Sequence, residues 1–529
     1  MRKILALLLS MALLLSSLLV LTSCGGGGGG KGGDDINYDI DLTKKPNLEV
    51  LMPNSGKSVT AVNESPNALL IEQLTGYKVN YTQLPAADAA KVLNTELMDK
   101  KPYDVMKLTK DQFSDLVDND LLVDITDALE TFAPDLLANI SEESWEVVTV
   151  DGRIYGIPER ASSDNIENPI ILNYDLLLTL NLDVPETLAD LKNVLKEMTE
   201  YLGKPALTFD RYTPLVHAIS GAFGIHSFWQ EYEVNGEKQV LFYMNAPRYS
   251  EYVAYMNELY TAGYIDQEVP TLTSADATTR FVNGFTSAQG AKAGAFAGSL
   301  WSVPAIVTGL QANGVISANE ASDTLDNHLC YIRSIKENAS DPEKVYRSSG
   351  YTYITAIPYY MAQNAGYALD WMNSKIKDTE TEDNFRQMVL GQEGVHWNYS
   401  PSEGYFPIDP KFQEKDDASY YMTGSNENKY TEYWKARVRK QPELFRAWSE
   451  LMEDADEVGV YNIVDFTPPI SEYTENRQKM EEYAQDQFFI MLREGTKNMD
   501  EYLSKLNGLQ GGKAATDAIN DWYKNVYSK

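Results

Sequence analysis

Cysteine is scarce in this chain. Its 529 residues include only Cys24, which follows an apolar leader, and Cys330, which lies in the body. An intrachain disulfide within the body is therefore excluded, and the fold must depend on its hydrophobic core. A body of roughly 480 residues can supply such a core as two or more domains. Cys330 itself, in the stretch HLCYI, is expected to be a small buried hydrophobic residue.

Positive charge is also in short supply. The sequence has 45 lysines and arginines against 77 aspartates and glutamates, a formal charge of −32. Without Arg2 and Lys3 of the leader, 43 basic residues remain against 77 acidic ones, and the charge becomes −34. Such a surface repels polyanions. We therefore expect no nucleic-acid partner and no electrostatic attachment to anionic lipid.

Histidine is rare, and no complete catalytic motif is present. The four histidines form no H-E-x-x-H pattern, and Leu51 stands where a P-loop ending at Gly56-Lys57-Ser58 would need glycine. There is no G-x-S-x-G elbow. We therefore expect no enzymatic activity, no cofactor and no metal site. The acidic run 454–457 lacks EF-loop spacing, so calcium binding stays open. A glycosidase also stays open, because carboxylates are abundant.

The amino terminus has the layout of a secretory signal. Arg2 and Lys3 precede an apolar run, which ends in Leu-Thr-Ser before Cys24 and six glycines. A cleaved signal at 1–23 is favoured over a retained membrane anchor because small residues, not a charge cluster, end the run. Leu-Thr-Ser-Cys also resembles the lipobox of bacterial lipoproteins. That resemblance implies a lipid on Cys24, a flexible Gly-rich linker over 24–45, and a place on the extracellular face of the cell membrane.

Strands and helices alternate in the body. Asn47 to Met52, Tyr77 to Gln83 and Lys101 to Leu108 have strand patterns, and helical spacing separates them at 67–75 and 86–100. This alternation predicts an α/β fold with a largely parallel sheet. In such sheets ligands bind beyond the carboxyl ends of the strands. The turn after Met52, which contains Asn54, is therefore a candidate contact.

Three stretches carry a family resemblance: DGRIYGIP (151–158), NYDLLLTLNLDVPETLADLKNVLKEM (173–198) and GAKAGAFAGSLW (290–301). Shorter ones follow at 366–373, 391–397, 487–491, 500–506 and 519–523. In this order and spacing they resemble family 1 extracellular solute-binding proteins of ABC importers, the maltose-binding-protein-like group, and especially its Gram-positive lipoprotein branch. The resemblance covers nearly the whole mature chain.

This resemblance implies a two-lobed, periplasmic-binding-protein-like α/β fold whose hinge-linked lobes enclose a ligand cleft. One lobe is expected to contain 46–160 and 348–392, and the other 165–345 and 395–529. The implied protein is a lipid-anchored monomer that captures an oligosaccharide and delivers it to the transmembrane subunits of an ABC permease. The alternatives are a surface adhesin or sensor, an extracellular glycosidase, and a binder of peptide or another solute.

A sugar cleft needs aromatic faces for the apolar sides of the rings and polar groups for the hydroxyls. For the aromatic faces we expect residues that begin strands or follow strands and loops: Phe228, Trp229, Trp301, Tyr351, Tyr353 and Trp397. For polar contacts we expect Asn54, Glu159, Arg160, Asp210 and Arg211, which follow predicted strands. The alternative for each aromatic residue is core packing, and for each charged one a surface ion pair.

Overall fold

The structure is a computed structural model, and it describes residues 36–160, 165–166, 168–287, 290–317, 328–415, 418–439 and 441–528. These residues belong to one compact unit. The predicted signal peptide, the predicted lipid-attachment residue Cys24 and the glycine run lie outside the described residues. Among the described helices, none combines the length and the apolar character that crossing a bilayer requires.

The strands follow one another along the chain with these bounds: β1 (Leu48–Met52), β2 (Val79–Gln83), β3 (Val105–Leu108), β4 (Thr149–Val150), β5 (Arg153–Ile154), β6 (Ile157–Arg160), β7 (Ile170–Asn173), β8 (Leu207–Thr208), β9 (Trp229–Val234), β10 (Glu237–Phe242), β11 (Ala295–Ala297), β12 (Leu329–Ile332), β13 (Val345–Arg347), β14 (Tyr351–Ala356), β15 (Trp397–Ser400), β16 (Gly404–Pro407) and β17 (Gly459–Tyr461).

The α-helices have these bounds: α1 (Val59–Asn63), α2 (Pro66–Thr75), α3 (Ala89–Met98), α4 (Lys110–Asp118), α5 (Thr126–Phe132), α6 (Pro134–Asn139), α7 (Glu142–Glu146), α8 (Tyr174–Leu180), α9 (Leu188–Leu202), α10 (His217–Ser220), α11 (Tyr249–Thr261), α12 (Ser274–Asn283), α13 (Val303–Ala312), α14 (Ala365–Ile376), α15 (Asn384–Leu390), α16 (Lys411–Glu414), α17 (Glu427–Arg439), α18 (Pro442–Leu451), α19 (Ala455–Val458), α20 (Ser471–Glu494), α21 (Met499–Asn507) and α22 (Gly512–Trp522).

Two sheets organise the molecule into two lobes. The first has the strand order β2-β1-β3-β14-β6, and the second has the order β12-β7-β11-β8. In the first sheet β1 pairs in parallel with both β2 and β3, whereas β14 is antiparallel to β3 and β6. All four residues of β3 are buried, which fits a central strand covered on both faces. The expected α/β class is confirmed, but the expectation of a largely parallel sheet is wrong, because β14 is antiparallel to both of its neighbours and β7 to both of its own.

Local signals in the sequence account for most of these elements. The helix expected at 67–75 is α2, which Ser65 caps and which ends at Gly76 in the left-handed conformation. Thr187 forms a capping box with Asp190 at the start of α9. Asp151 and Gly152, both with positive φ, turn β4 into β5 as the Asp-Gly signal predicts.

The carboxyl-terminal part of the chain contacts both lobes. Tyr421 donates a hydrogen bond to the Val62 carbonyl, and Lys107 of the first sheet binds backbone carbonyls of 419–422. Helix α17 packs against α15, whereas α18 packs against α13 and β12 of the second lobe. The lobe boundaries remain a prediction. Residues 419–422 adjoin the first sheet through Lys107, and α17 adjoins α15.

Candidate ligand-binding site

A cavity of about 560 Å³ lies where the carboxyl ends of strands from both sheets converge. Thr109 and Lys110 line it directly after β3. Tyr351 lines it at the start of β14, and because β14 is antiparallel to β3 and β6, that start lies at the same edge of the first sheet. From the second lobe, Tyr212 follows β8. This is the position at which open α/β sheets bind ligands, and the volume suits a small ligand.

Aromatic side chains form much of the cavity wall. Eight of them line it: Tyr212, Phe228, Trp229, Phe242, Tyr243, Tyr351, Tyr353 and Tyr473. The indole of Trp229 meets the ring of Tyr473 edge-on, with centroids 5.6 Å apart. Phe228 likewise meets Tyr243 edge-on at 5.7 Å. These contacts between rings hold the aromatic wall in fixed positions before any ligand arrives.

Lys110 connects the start of α4 to the segment 464–467 in the cavity wall. Its Nζ donates to the carbonyls of Val464 and Asp465 at 2.8 and 3.0 Å, and to the Thr467 hydroxyl at 3.3 Å. Burial lowers the pKa of Lys110 to about 8. Burial also raises the pKa of the Asp465 carboxyl, which accepts hydrogen bonds from Ser349 and Asn462. The lysine therefore fastens the segment 464–467 to the start of α4.

A second cation in the wall, Arg477 on α20, is shared between two carboxylates. Its Nη1 donates to Asp111 at 2.6 Å, and its Nε donates to Glu481 at 3.0 Å. Asp111 lies in the first turn of α4. Burial raises the pKa of Glu481. This ion-pair group links α20 to the first lobe at the rim of the cavity.

Four of the expected contact residues line this cavity: Phe228, Trp229, Tyr351 and Tyr353. Trp229 is only 1% exposed, so it belongs to the packed wall more than to an open platform. Tyr351 is held by a 2.9 Å hydrogen bond between its hydroxyl and Ser144. Tyr353 lies 4.8 Å from the Lys107 ammonium, measured from the ring centroid. Their roles in binding stay predictions.

The expected polar contacts lie outside the described lining and are engaged by the protein. The side-chain amide oxygen of Asn54 accepts a hydrogen bond from the backbone N–H of Gly56, and the Asp210 carboxylate accepts one from the backbone N–H of Tyr212. Arg211 donates to the Tyr212 hydroxyl. Arg160 donates to the Ser349 carbonyl at 3.0 Å and to Glu143 at 3.2 Å.

Glu159 differs most from the expectation of an open polar contact. It is buried, and its Oε2 lies 2.7 Å from the Nζ of the fully buried Lys107. Burial raises the pKa of Glu159, and the charge of Lys107 opposes that rise. The pair lies within the first sheet, because β6 and β3 both pair with β14. Glu159 therefore has a structural partner already.

The two remaining tryptophans also lie outside the described lining. Trp397 is 4% exposed, and its Nε1 donates to the Gly391 carbonyl at 2.9 Å. Trp301 is 41% exposed and meets Trp434 edge-on at 5.7 Å. It follows β11 along the chain, and its role in binding stays a prediction.

Several cavity residues were not expected from the sequence, notably Lys110, Tyr473 and Arg477. Lys110 follows β3 directly, where the Thr109 capping box with Gln112 marks the start of α4. Tyr473 and Arg477 lie on a long helix whose sequence does not show which face meets the first lobe. Among the described residues, no group of three or more histidine, cysteine, aspartate or glutamate side chains is arranged to hold a metal ion.

Comparison with known proteins identifies the family. The family model for the bacterial extracellular solute-binding protein matches residues 71–306. A Niallia circulans protein described as an uncharacterized protein in the butB 5′ region is 30% identical over 279 residues, which cover 52% of this chain and 99% of that protein. The chain belongs to the bacterial extracellular solute-binding protein family.

Two further comparisons are more distant. A Bacillus subtilis polygalacturonan/rhamnogalacturonan-binding protein is 27% identical over 47% of this chain and 47% of its own length. The structure of an HMO-binding, ABC-transporter-associated solute-binding protein from Bifidobacterium longum infantis superposes with a TM-score of 0.65 at 17% identity, over 92% of this chain and 99% of that chain. The structural match confirms the expected two-lobed fold.

Proposed function

We propose that this protein is the lipid-anchored solute-binding component of an ABC importer and that it captures an extracellular oligosaccharide between its lobes. The observation that carries the proposal is the aromatic-lined cavity at the facing edges of the two sheets. Sugar rings present apolar faces that stack on aromatic side chains, and their hydroxyls need polar groups in a shielded site. Tyr351, Tyr353 and Phe228 supply the first, and Thr109 and Asn462 supply the second.

The names of the relatives support a carbohydrate ligand. One binds polygalacturonan or rhamnogalacturonan, and another binds HMO and is associated with an ABC transporter. In this proposal the lobes close on the ligand, and the closed form delivers it unchanged to the permease. Closure is favoured only to the extent that the ligand binds the closed state more tightly than the open one. A lipid on Cys24 would keep the protein at the outer face of the membrane.

The test is a glycan array followed by calorimetry on the chain without residues 1–33. We expect at least one oligosaccharide to bind. Tyr353→Ala should weaken its binding by about tenfold, on the order of 1.4 kcal/mol for a lost aromatic contact. Tyr201→Ala is the matched control, because Tyr201 is exposed on α9 and lies outside the cavity lining.

Two outcomes would contradict the proposal. If no oligosaccharide binds, the ligand is of another class. If shortened saccharides accumulate during incubation with the purified protein, it is an enzyme and not a carrier.

A further inference from the structure

The charged side chains of the cavity bear on whether its ligand is neutral or anionic. Five charged side chains line it: Lys110, Asp111, Asp465, Arg477 and Glu481. Three are carboxylates and two are cations, so the wall carries excess negative charge. The whole chain has the same sign, with a formal charge of −32. An anionic ligand is therefore repelled by the net charge of the protein and again by the net charge of the cavity lining.

Both cations are already engaged by protein groups. An ammonium has three donors, and Lys110 directs its Nζ at three oxygens of 464–467. Arg477 donates to Asp111 and Glu481. The guanidinium keeps further N–H groups, but a ligand carboxylate that bound them would be repelled by Asp111 and Glu481, which already balance the charge of Arg477. A sugar hydroxyl meets no such repulsion, because it accepts and donates without a net charge.

Resting on the proposed function, we propose that this cavity selects neutral oligosaccharides and rejects those built from uronic acids. The inference separates this chain from its Bacillus subtilis relative, whose name specifies polygalacturonan. The specificity resides in the pairing of Arg477, because Asp111 and Glu481 offset the charge of the one guanidinium in the described lining. Asp111 and Glu481 are thus specificity-determining residues that act through Arg477.

The experiment compares two sets of oligosaccharides by calorimetry on the chain without residues 1–33. The neutral set contains cello-, xylo-, manno-, malto- and galacto-oligosaccharides. The acidic set contains galacturonan oligomers, each measured beside its methyl-esterified form, which keeps the skeleton and removes the charge. We expect binding within the neutral set, and no acidic oligomer within tenfold of the best neutral ligand.

An Asp111→Asn variant tests the stated cause. It removes one wall charge and releases one donor of Arg477, so the ratio of acidic to neutral affinity should rise by about tenfold, given the size of charge interactions at a few ångströms near a protein surface. Asp500→Asn is the control, because Asp500 is exposed in the first turn of α21 and its loss changes the net charge equally.

The outcomes separate the two proposals. Binding of a galacturonan oligomer within tenfold of the best neutral ligand overturns the selectivity while the oligosaccharide-binding function stands. An unchanged ratio in Asp111→Asn assigns the selectivity elsewhere and overturns the role of Arg477. Failure of both sets to bind overturns the proposed function and the inference together.

Discussion

Acid should destabilise this protein through a pair of buried histidines beside the cavity. His217 stacks on Tyr346 with centroids 4.3 Å apart, and it meets the cavity residue Phe228 edge-on at 5.2 Å. Its Nδ1 lies 3.1 Å from the carbonyl of His226, so Nδ1 is the protonated nitrogen of the neutral ring. Burial lowers the pKa of both histidines to about 4, against an ordinary value near 6.5.

The sign and size of this loss of stability follow from the linkage between proton binding and folding. Between pH 6.5 and 4 the unfolded chain binds protons at these histidines and the folded chain does not. The contribution to stability is therefore fully present above pH 6.5 and is lost as the pH falls toward 4. One pKa unit corresponds to about 1.4 kcal/mol, so a depression of about 2.5 units is worth about 3 kcal/mol for each histidine.

Urea unfolding at pH 7, 6, 5 and 4 measures this loss in the wild type and in the double variant His217→Gln/His226→Gln. The carboxylates titrate in both proteins, so the difference between the two pH profiles isolates the histidines. We expect the wild type to lose about 3 to 6 kcal/mol more than the double variant between pH 7 and 4. His328→Gln, which changes the partner of Asp175 instead, should follow the wild type. Parallel profiles for the wild type and the double variant would refute the reasoning.

Two further predictions concern the first sheet. Lys107→Met leaves Glu159 buried without its ion-pair partner and should lower the free energy of unfolding by about 3–5 kcal/mol, whereas adding Glu159→Gln should recover part of that loss. Urea unfolding of both variants measures the two changes. If the second substitution recovers nothing, loss of the ion pair is not the cause. Gly156→Ala places a Cβ 2.6 Å from the Ile354 side chain, so it should cost about 1–3 kcal/mol; an unchanged melting temperature would show that the sheet yields freely at this point.

The sequence predicted the fold well where the signals are local. Ser65 and Gly76 mark the two ends of α2, and Asp151-Gly152 makes a hairpin turn, because capping and positive φ depend on a few neighbouring residues. The return of 419–422 to the first sheet was not predicted. It depends on Lys107, a charged residue in a buried strand, and the identity of its distant carbonyl partners cannot be deduced from the strand itself.

The site residues also differ in whether local sequence signals or tertiary contacts determine their position. Tyr351 and Tyr353 were found because a strand begins there at the expected edge of a sheet. Glu159 was expected to face a ligand because it follows a strand, but nothing near it in the sequence shows that Lys107 pairs with it. Arg477 was missed because its role arises from the contact of α20 with α4, which is a tertiary contact.

The position of β14 has a consequence for how the protein is made. This strand fills the first sheet between β3 and β6, yet it comes from residues 351–356, long after both of its partners have left the ribosome. Until then β3 and β6 each present an unpaired edge, which is open to wrong partners. A nascent chain therefore cannot complete this lobe until residues 351–356 have been made.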